Sequence, residues 1–249
     1  MKKKFLLALA LVVVFTCLFV ISVSAETPEL YITFQVKLAK ESDYTTAYVK
    51  NTESGNPRVN LTYDFYSDID FTQKIDKKQI TCLDFSNAVH SNPQKDYVDR
   101  FTTADPSEYP LCEEIKWFSR KFTSTPSTTF NDWTQLKRFD FGCITVIDYN
   151  FLSNTGLEEV VIPASVTSFN NSVFAGCKSL KSVKFEGGLT SVGTGVFQNC
   201  TSLVTVKFGG ATILSGSMFG GCTSLTTVDL SDATGLTSIG YATFSGCTA

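Results

Sequence analysis

Cysteine is the reactive side chain that recurs at regular spacing in this sequence. Cys177, Cys200, Cys222 and Cys247 each stand three residues after a phenylalanine, in "FAGC", "FQNC", "FGGC" and "FSGC". Cysteines at fixed spacing can pair as disulfides, hold a soft metal or supply a nucleophile. A zinc site that mixes cysteine with several histidines is excluded, because His90 is the one histidine. His90 lies in "SNAVHSNP", without the Gly-x-Ser-x-Gly or cysteine context of a catalytic base, and reads as a solvated surface residue. The acid pairs Glu113-Glu114 and Glu158-Glu159 are adjacent in sequence. On a strand their carboxylates point to opposite faces, so they cannot converge as a glycosidase pair. Gly187-Gly188 and Gly209-Gly210 lack the lysine of a phosphate-binding loop and read as turns. Catalytic, metal and cofactor residues are therefore assigned to none, and the chain reads as a non-enzyme.

The cysteines instead belong to a repeat. With phenylalanine as the marker, Phe151, Phe174, Phe197, Phe219 and Phe244 are separated by 23, 23, 22 and 25 residues, and Phe130 precedes Phe151 by 21. A period of this size predicts a solenoid with one coil per repeat. After each marker comes an alternating segment: Leu180-x-x-Val183-x-Phe185, Leu203-x-x-Val206-x-Phe208, Leu225-x-x-Val228-x-Leu230, and upstream Leu157-x-x-Val160-x-Ile162 and Leu136-x-x-Phe139-x-Phe141. Alternation of this kind is a strand with one buried face, and stacked coils place such strands in a parallel sheet. The return segments "LTSVG" from Leu189 and "LTSIG" from Leu236 carry glycines at positions 193 and 240, which predict a positive φ. Asp148 and Asn170 stand at the equivalent place, and Ser215 is the exception to that reading.

Residues at one repeat position stack over one another, so Cys177, Cys200, Cys222 and Cys247 are expected as an internal structural column. Cysteine serves there as a small buried apolar group. Disulfides between neighbouring coils and a metal or catalytic role are the alternatives. One strand spacing is poor geometry for most such bridges unless the backbone shifts.

The pattern Leu-x-x-Val-x-Phe followed by Leu-Thr-x-Val/Ile-Gly and Phe-x-x-Cys resembles the BspA-like, or treponemal, class of leucine-rich repeats. "VVIP" at 160–163 matches the proline that commonly follows the strand in that class. The resemblance covers 130–249, about half the chain. It implies a secreted or surface-displayed protein, some of whose relatives bind host or matrix proteins.

The flanks complete the plan. Met1-Lys2-Lys3-Lys4, an apolar run over 5–23 and Val23-Ser24-Ala25 describe a signal peptide over 1–25, with an uncleaved membrane anchor as the rival reading. Cleavage removes three lysines and no acid, which moves the formal charge from −3 to −6 and disfavours nucleic acid as a partner. It also leaves seven cysteines, an odd number that cannot all pair within the chain. No other stretch approaches membrane-spanning length. Residues 26–78 hold the strand-like runs "ELYITFQVKL" and "RVNLTYDFYS" around the turn-rich "KNTESGNP", and read as a β-rich cap; an independent domain of that length would be marginal alone. "ITCLDF" from Ile80 and "CEEIKW" from Cys112 echo the strand template, so 79–129 reads as degenerate repeats with an inserted surface loop at 91–110. The last coil stops at Ala249 before its strand, which leads to the expectation of a fragment of a longer protein.

The fold expected is thus a β-rich leucine-rich-repeat solenoid: a parallel sheet with one short strand per 21–25-residue coil, and a small N-terminal cap. Outward residues of the strands should align across coils as Asp140, Val161, Lys184, Lys207 and Asp229. They are flanked by Lys137, Arg138, Glu158, Glu159, Lys181, Thr205 and Thr226. This mixed row suits contact with protein from a host, matrix or neighbouring cell surface, or with glycan; a merely solvated face is the plainer reading. Two functions follow, a non-catalytic adhesin-like binder or a structural or targeting module of a larger exported enzyme.

Overall fold

The computed structural model describes residues 31–50, 58–60, 64–68, 72–90, 100–102, 105–117, 125 and 130–249. The expected signal peptide, the turn at 51–57 and residues 91–99 of the insertion lie outside the described residues.

In chain order the N-terminal strands are β1 (Tyr31–Leu38), β2 (Tyr44–Lys50), β3 (Arg58–Asn60), β4 (Phe65–Tyr66), β5 (Lys74–Ile75), β6 (Ile80–His90), β7 (Arg100–Thr102), β8 (Glu114–Lys116) and β9 (Arg138–Asp140). The coils then supply β10 (Val146–Ile147), β11 (Glu159–Ile162), β12 (Ser168–Phe169), β13 (Ser182–Phe185), β14 (Gly188–Leu189), β15 (Ser191–Val192), β16 (Thr205–Lys207), β17 (Gly210–Ala211), β18 (Ile213–Leu214), β19 (Thr227–Asp229) and β20 (Ser238–Ile239). The chain is a β-solenoid whose coil strands form parallel sheets, as the repeat predicts.

Strands β11, β13, β16 and β19 form a four-stranded parallel sheet in that order. Its register pairs Val160 with Val183, Val183 with Val206, and Val206 with Val228. The inward valines of β11, β13 and β16 are buried while Val161, Lys184 and Lys207 are exposed, which is the two-residue alternation of a one-sided strand. On the return side each coil adds shorter strands. β10, β12 and β15 make a second parallel sheet, and β14–β17 and β18–β20 pair likewise.

The N-terminal sheet runs β5-β4-β2-β1-β6-β8-β9. β1 pairs antiparallel with both β2 and β6, and β6, β8 and β9 then continue in parallel. "ITCLDF" and "CEEIKW" are therefore strands in coil register, with Leu83 beside Ile115 and Ile115 beside Phe139. β2, "YTTAYVK", carries no repeat signal and was not anticipated from the sequence. Of the insertion, β7 pairs in parallel with β3, and Pro106–Glu108 forms a 3-10 helix. The insertion is not surface throughout: Tyr109 is fully buried and stacked on Trp133, ring centroids 5.4 Å apart.

Two details of the repeat correct the sequence reading. The backbone N–H of Leu152 donates to Val173 as that of Phe174 donates to Val196, so Leu152 and not Phe151 is the structural partner of the phenylalanine markers. Phe151 takes the preceding apolar position, level with Val173. The true spacings from Phe130 are 22, 22, 23, 22 and 25.

The positive φ angles also fall elsewhere. They lie two residues beyond the predicted column, at Asn150, Ser172, Gly195, Ser217 and Ala242, and again just before each cysteine, at Gly176, Asn199, Gly221 and Gly246. Gly193 and Gly240 are glycine for another reason. A Cβ on Gly193 would lie 2.4 Å from the carbonyl carbon of Asn170, and one on Gly240 would lie 2.4 Å from the nitrogen of Gly216, so the coil below leaves no room for a side chain.

One apolar core runs through the molecule. In the coils it is ordered by a stack of rings: Phe174–Phe197 at 5.3 Å, Phe197–Phe219 at 5.7 Å and Phe219–Phe244 at 5.5 Å, with planes within 12° of parallel. Equal coil lengths bring equal residues into register, and offset ring stacking rewards that register.

Candidate functional site

The cysteines sit at the turn that closes each coil. Cys177, Cys200 and Cys222 are fully buried and Cys247 is half-buried. Each thiol donates to a backbone carbonyl one coil below: Cys177 Sγ to Leu152 O at 3.1 Å, Cys200 to Phe174 at 3.1 Å, Cys222 to Phe197 at 3.1 Å and Cys247 to Phe219 at 3.2 Å. The Phe174 carbonyl also accepts the N–H of Cys177 at 3.2 Å, so one oxygen ties its own turn and the coil above. Thr155 begins this column, its hydroxyl donating to Leu152 O at 2.9 Å.

All seven described cysteines are free thiols. Burial pushes the Cys222 thiol up to about 12 and holds that of Cys200 well above its usual value. Such thiols are neutral at physiological pH and poor nucleophiles. Among the described residues no cluster of His, Cys, Asp and Glu is placed to hold a metal. His90 ends β6, and its side chain is outside the described residues.

The outward face is the larger candidate. Register places Val161, Lys184, Lys207 and Asp229 side by side across the four-stranded sheet. Asp140 holds the matching position on β9, where it pairs with Lys116, which in turn pairs with Asp84. The row thus extends two strands further toward the N-terminus than the sequence reading carried it. Asp84 and Lys116 occupy the same template position in "ITCLDF" and "CEEIKW", so that signal was present in the sequence. Tyr44 joins them from β2, which no repeat announces.

The charges on this face are largely matched. Lys207 lies 3.4 Å from Asp229 and 3.6 Å from Asp232, Lys184 is 3.6 Å from Glu186, and Lys181 is 3.2 Å from Glu158. Lys137 pairs with Glu113 at 2.5 Å and Arg138 with Glu114 at 3.5 Å. Lys116 donates to the Tyr44 hydroxyl at 2.8 Å and lies 3.3 Å from Asp84; that hydrogen bond and then the carboxylate hold its ammonium charged well above the usual range. Lys184 and Lys207 face each other directly, and each turns to an acid on another side. Like charges opposite one another on paired strands would otherwise destabilise the ladder.

The model of the BspA type leucine rich repeat region matches this chain in six copies, over residues 111–181 and 145–249. No curated protein matches it significantly. Among solved structures, a leucine-rich repeat protein from Eubacterium ventriosum ATCC 27560 aligns with TM-score 0.51 and 17% identity, over 80% of this chain and 52% of that one. The T. pallidum leucine rich repeat protein aligns with TM-score 0.49 and 20% identity over 86% of each chain. A leucine rich cell surface protein from Faecalibacterium prausnitzii A2-165 aligns with TM-score 0.28 and 15% identity, over 91% of this chain and 94% of that one. The first of these supports the solenoid fold.

Proposed function

Since this chain belongs to the BspA-type leucine-rich repeat family, we propose that it is a secreted or cell-surface protein that binds other proteins, without catalysis, through the outer face of its coil sheet. Repeat proteins of this family are suited to protein binding, because a stack of identical strands presents an extended, regular surface. The observation that carries the reading is the outward row from Asp84 through Asp140 and Lys184 to Asp229, set on strands held in register by the core. The signal-peptide pattern read from the sequence over 1–25 supports the location proposed. Among the described residues no helix is long and apolar enough to cross a membrane.

A face whose charges already pair internally has little long-range field to steer a ligand, so contact should rest on shape and local hydrogen bonding. The test is saturable binding of the mature chain to immobilised extracellular matrix or to whole cells, compared with the double variant Lys184→Glu/Lys207→Glu. Loss of binding in that variant is expected; undiminished binding would remove the sheet face from the proposal.

A further inference from the structure

Lys37, Cys82, Glu114 and Arg138 form a second outward row, level across β1, β6, β8 and β9. Cys82 points to the same side as its charged neighbours in that row, yet it is only 2% exposed. A residue on an outer face is buried when something stands around it. Here Tyr44 stands over it, its hydroxyl donating to Cys82 Sγ at 3.7 Å, and Lys37, Ala39, Leu111, Glu114 and Arg138 line a half-open hollow of about 330 Å³ beside it. That volume is at the small end of the ligand-pocket range of about 300–1,000 Å³.

The lining has a definite character. Leu111 is 43% exposed although its side chain is large and apolar. Glu114 is paired with Arg138 and Glu113 with Lys137, so these charges are matched. Lys37 has no carboxylate partner among the described residues; its ammonium lies 6.0 Å from the centroid of the Tyr44 ring. Apolar wall and one unmatched cation therefore share a mouth.

The geometry points to this cavity as the anchor of the sheet face, taking from a protein partner an aliphatic side chain against Leu111 and Ala39 and an adjacent glutamate or aspartate side chain against Lys37. The assignment rests on the protein-binding reading and narrows it to partners that present an exposed apolar-acidic pair. It adds an anchor on the N-terminal strands to the contact that the wider face makes through Lys184 and Lys207.

Fluorescence anisotropy with a fluorescein-labelled, amide-capped peptide carrying a Leu-Glu pair tests it on the mature chain. Saturable binding is expected, at least ~10-fold weaker for the Leu-Gln peptide and for the variants Lys37→Glu and Leu111→Trp, which corresponds to ~1.4 kcal/mol. Leu111 is exposed enough for the tryptophan variant to fold, and thermal unfolding of each variant checks this. The Lys184→Glu/Lys207→Glu variant should bind the peptide normally. Equal affinity for the Leu-Glu and Leu-Gln peptides, or binding unmoved by Lys37→Glu, would overturn the assignment. A Leu-Gln peptide with a free C-terminal carboxylate that outbinds the Leu-Glu peptide would overturn the choice of a side-chain acid. Matrix binding in the absence of peptide binding would overturn the pocket and leave the wider face standing. Peptide binding without matrix binding would keep the pocket and remove the wider face.

Discussion

The thiol of Cys200 donates to the backbone carbonyl of Phe174, one coil below, at 3.1 Å. Neighbouring cysteines repeat the contact at 3.1–3.2 Å, which makes the thiol a hydrogen-bonding tie between coils as well as an apolar filler. The sulfur is a weak donor, but the carbonyl it reaches is buried and would otherwise have one partner. Cys200→Ala should lower stability in urea by about 1–2 kcal/mol, part cavity and part lost bond. An unchanged midpoint would mean that the tie contributes nothing.

The same burial predicts a pH dependence. Unfolded cysteine titrates near 8.5, whereas burial pushes Cys222 up to about 12 and Cys82 up to about 11. A folded pKa above the unfolded one means that the unfolded chain loses its proton first as pH rises. This contribution is therefore complete below pH ~8.5 and falls above it, by up to ~1.4 kcal/mol per pH unit per thiol, until the folded thiol itself ionises. Urea melts between pH 8 and 10.5 should show the decline, and Cys222→Val should make it shallower. A flat profile would contradict the burial of these groups.

What the sequence disclosed and what it withheld divide along the repeat. Leu180, Val183 and Phe185 announce an inward face because alternation and period act together, and the strand register followed from them directly. Phe151 misled because an aromatic residue fits either of two adjacent apolar positions, and only the backbone pairing of Leu152 separates them. Tyr44 was invisible as a face residue: β2 joins the sheet by antiparallel pairing, which leaves no periodic trace. The pocket at Lys37 was equally hidden, since it needs three distant segments to meet. The glycine at position 193 is legible from the repeat, but its cause, the backbone of the coil below, is not.

Gly193 offers a sharp test of that correction. If a positive φ were the requirement, asparagine would be tolerated there, because its side chain suits the left-handed region. With backbone of the coil below at 2.4 Å from the would-be Cβ, any side chain must push the coils apart. Gly193→Ala and Gly193→Asn should both destabilise, by about 2 kcal/mol or more, the usual scale of overpacking. At Ala242 the expectation reverses. Its φ is 53°, a conformation that costs an alanine about 1–2 kcal/mol and glycine almost nothing. Ala242→Gly should therefore stabilise by up to ~1 kcal/mol once the greater chain entropy of glycine is subtracted. Thermal melts of the variants decide both points, and a tolerated Gly193→Asn would restore the first explanation.

A nearly buried cation sits at the joint between the N-terminal strands and the coils. Lys77 is only 12% exposed; its ammonium bonds Glu108 at 2.8 Å and lies 5.3 Å from the Phe65 ring and 5.4 Å from that of Tyr109. Phe65 comes from β4 and packs edge-on against Phe34 of β1, while Tyr109 follows the inserted 3-10 helix and stacks on Trp133 of the first clear coil. One cation thus ties the β4–β5 hairpin to the inserted 3-10 helix, between which no strand pairing is described. A desolvated cation held between two aromatic faces contributes about 2 kcal/mol, more than an exposed ion pair. Lys77→Met keeps the aliphatic stem and removes the charge, so it isolates that part. It should lower stability by about 1–2 kcal/mol, and the loss should persist in 0.5 M salt, which screens exposed pairs but not this one. A loss that disappears in salt would show the joint to be an ordinary surface pair.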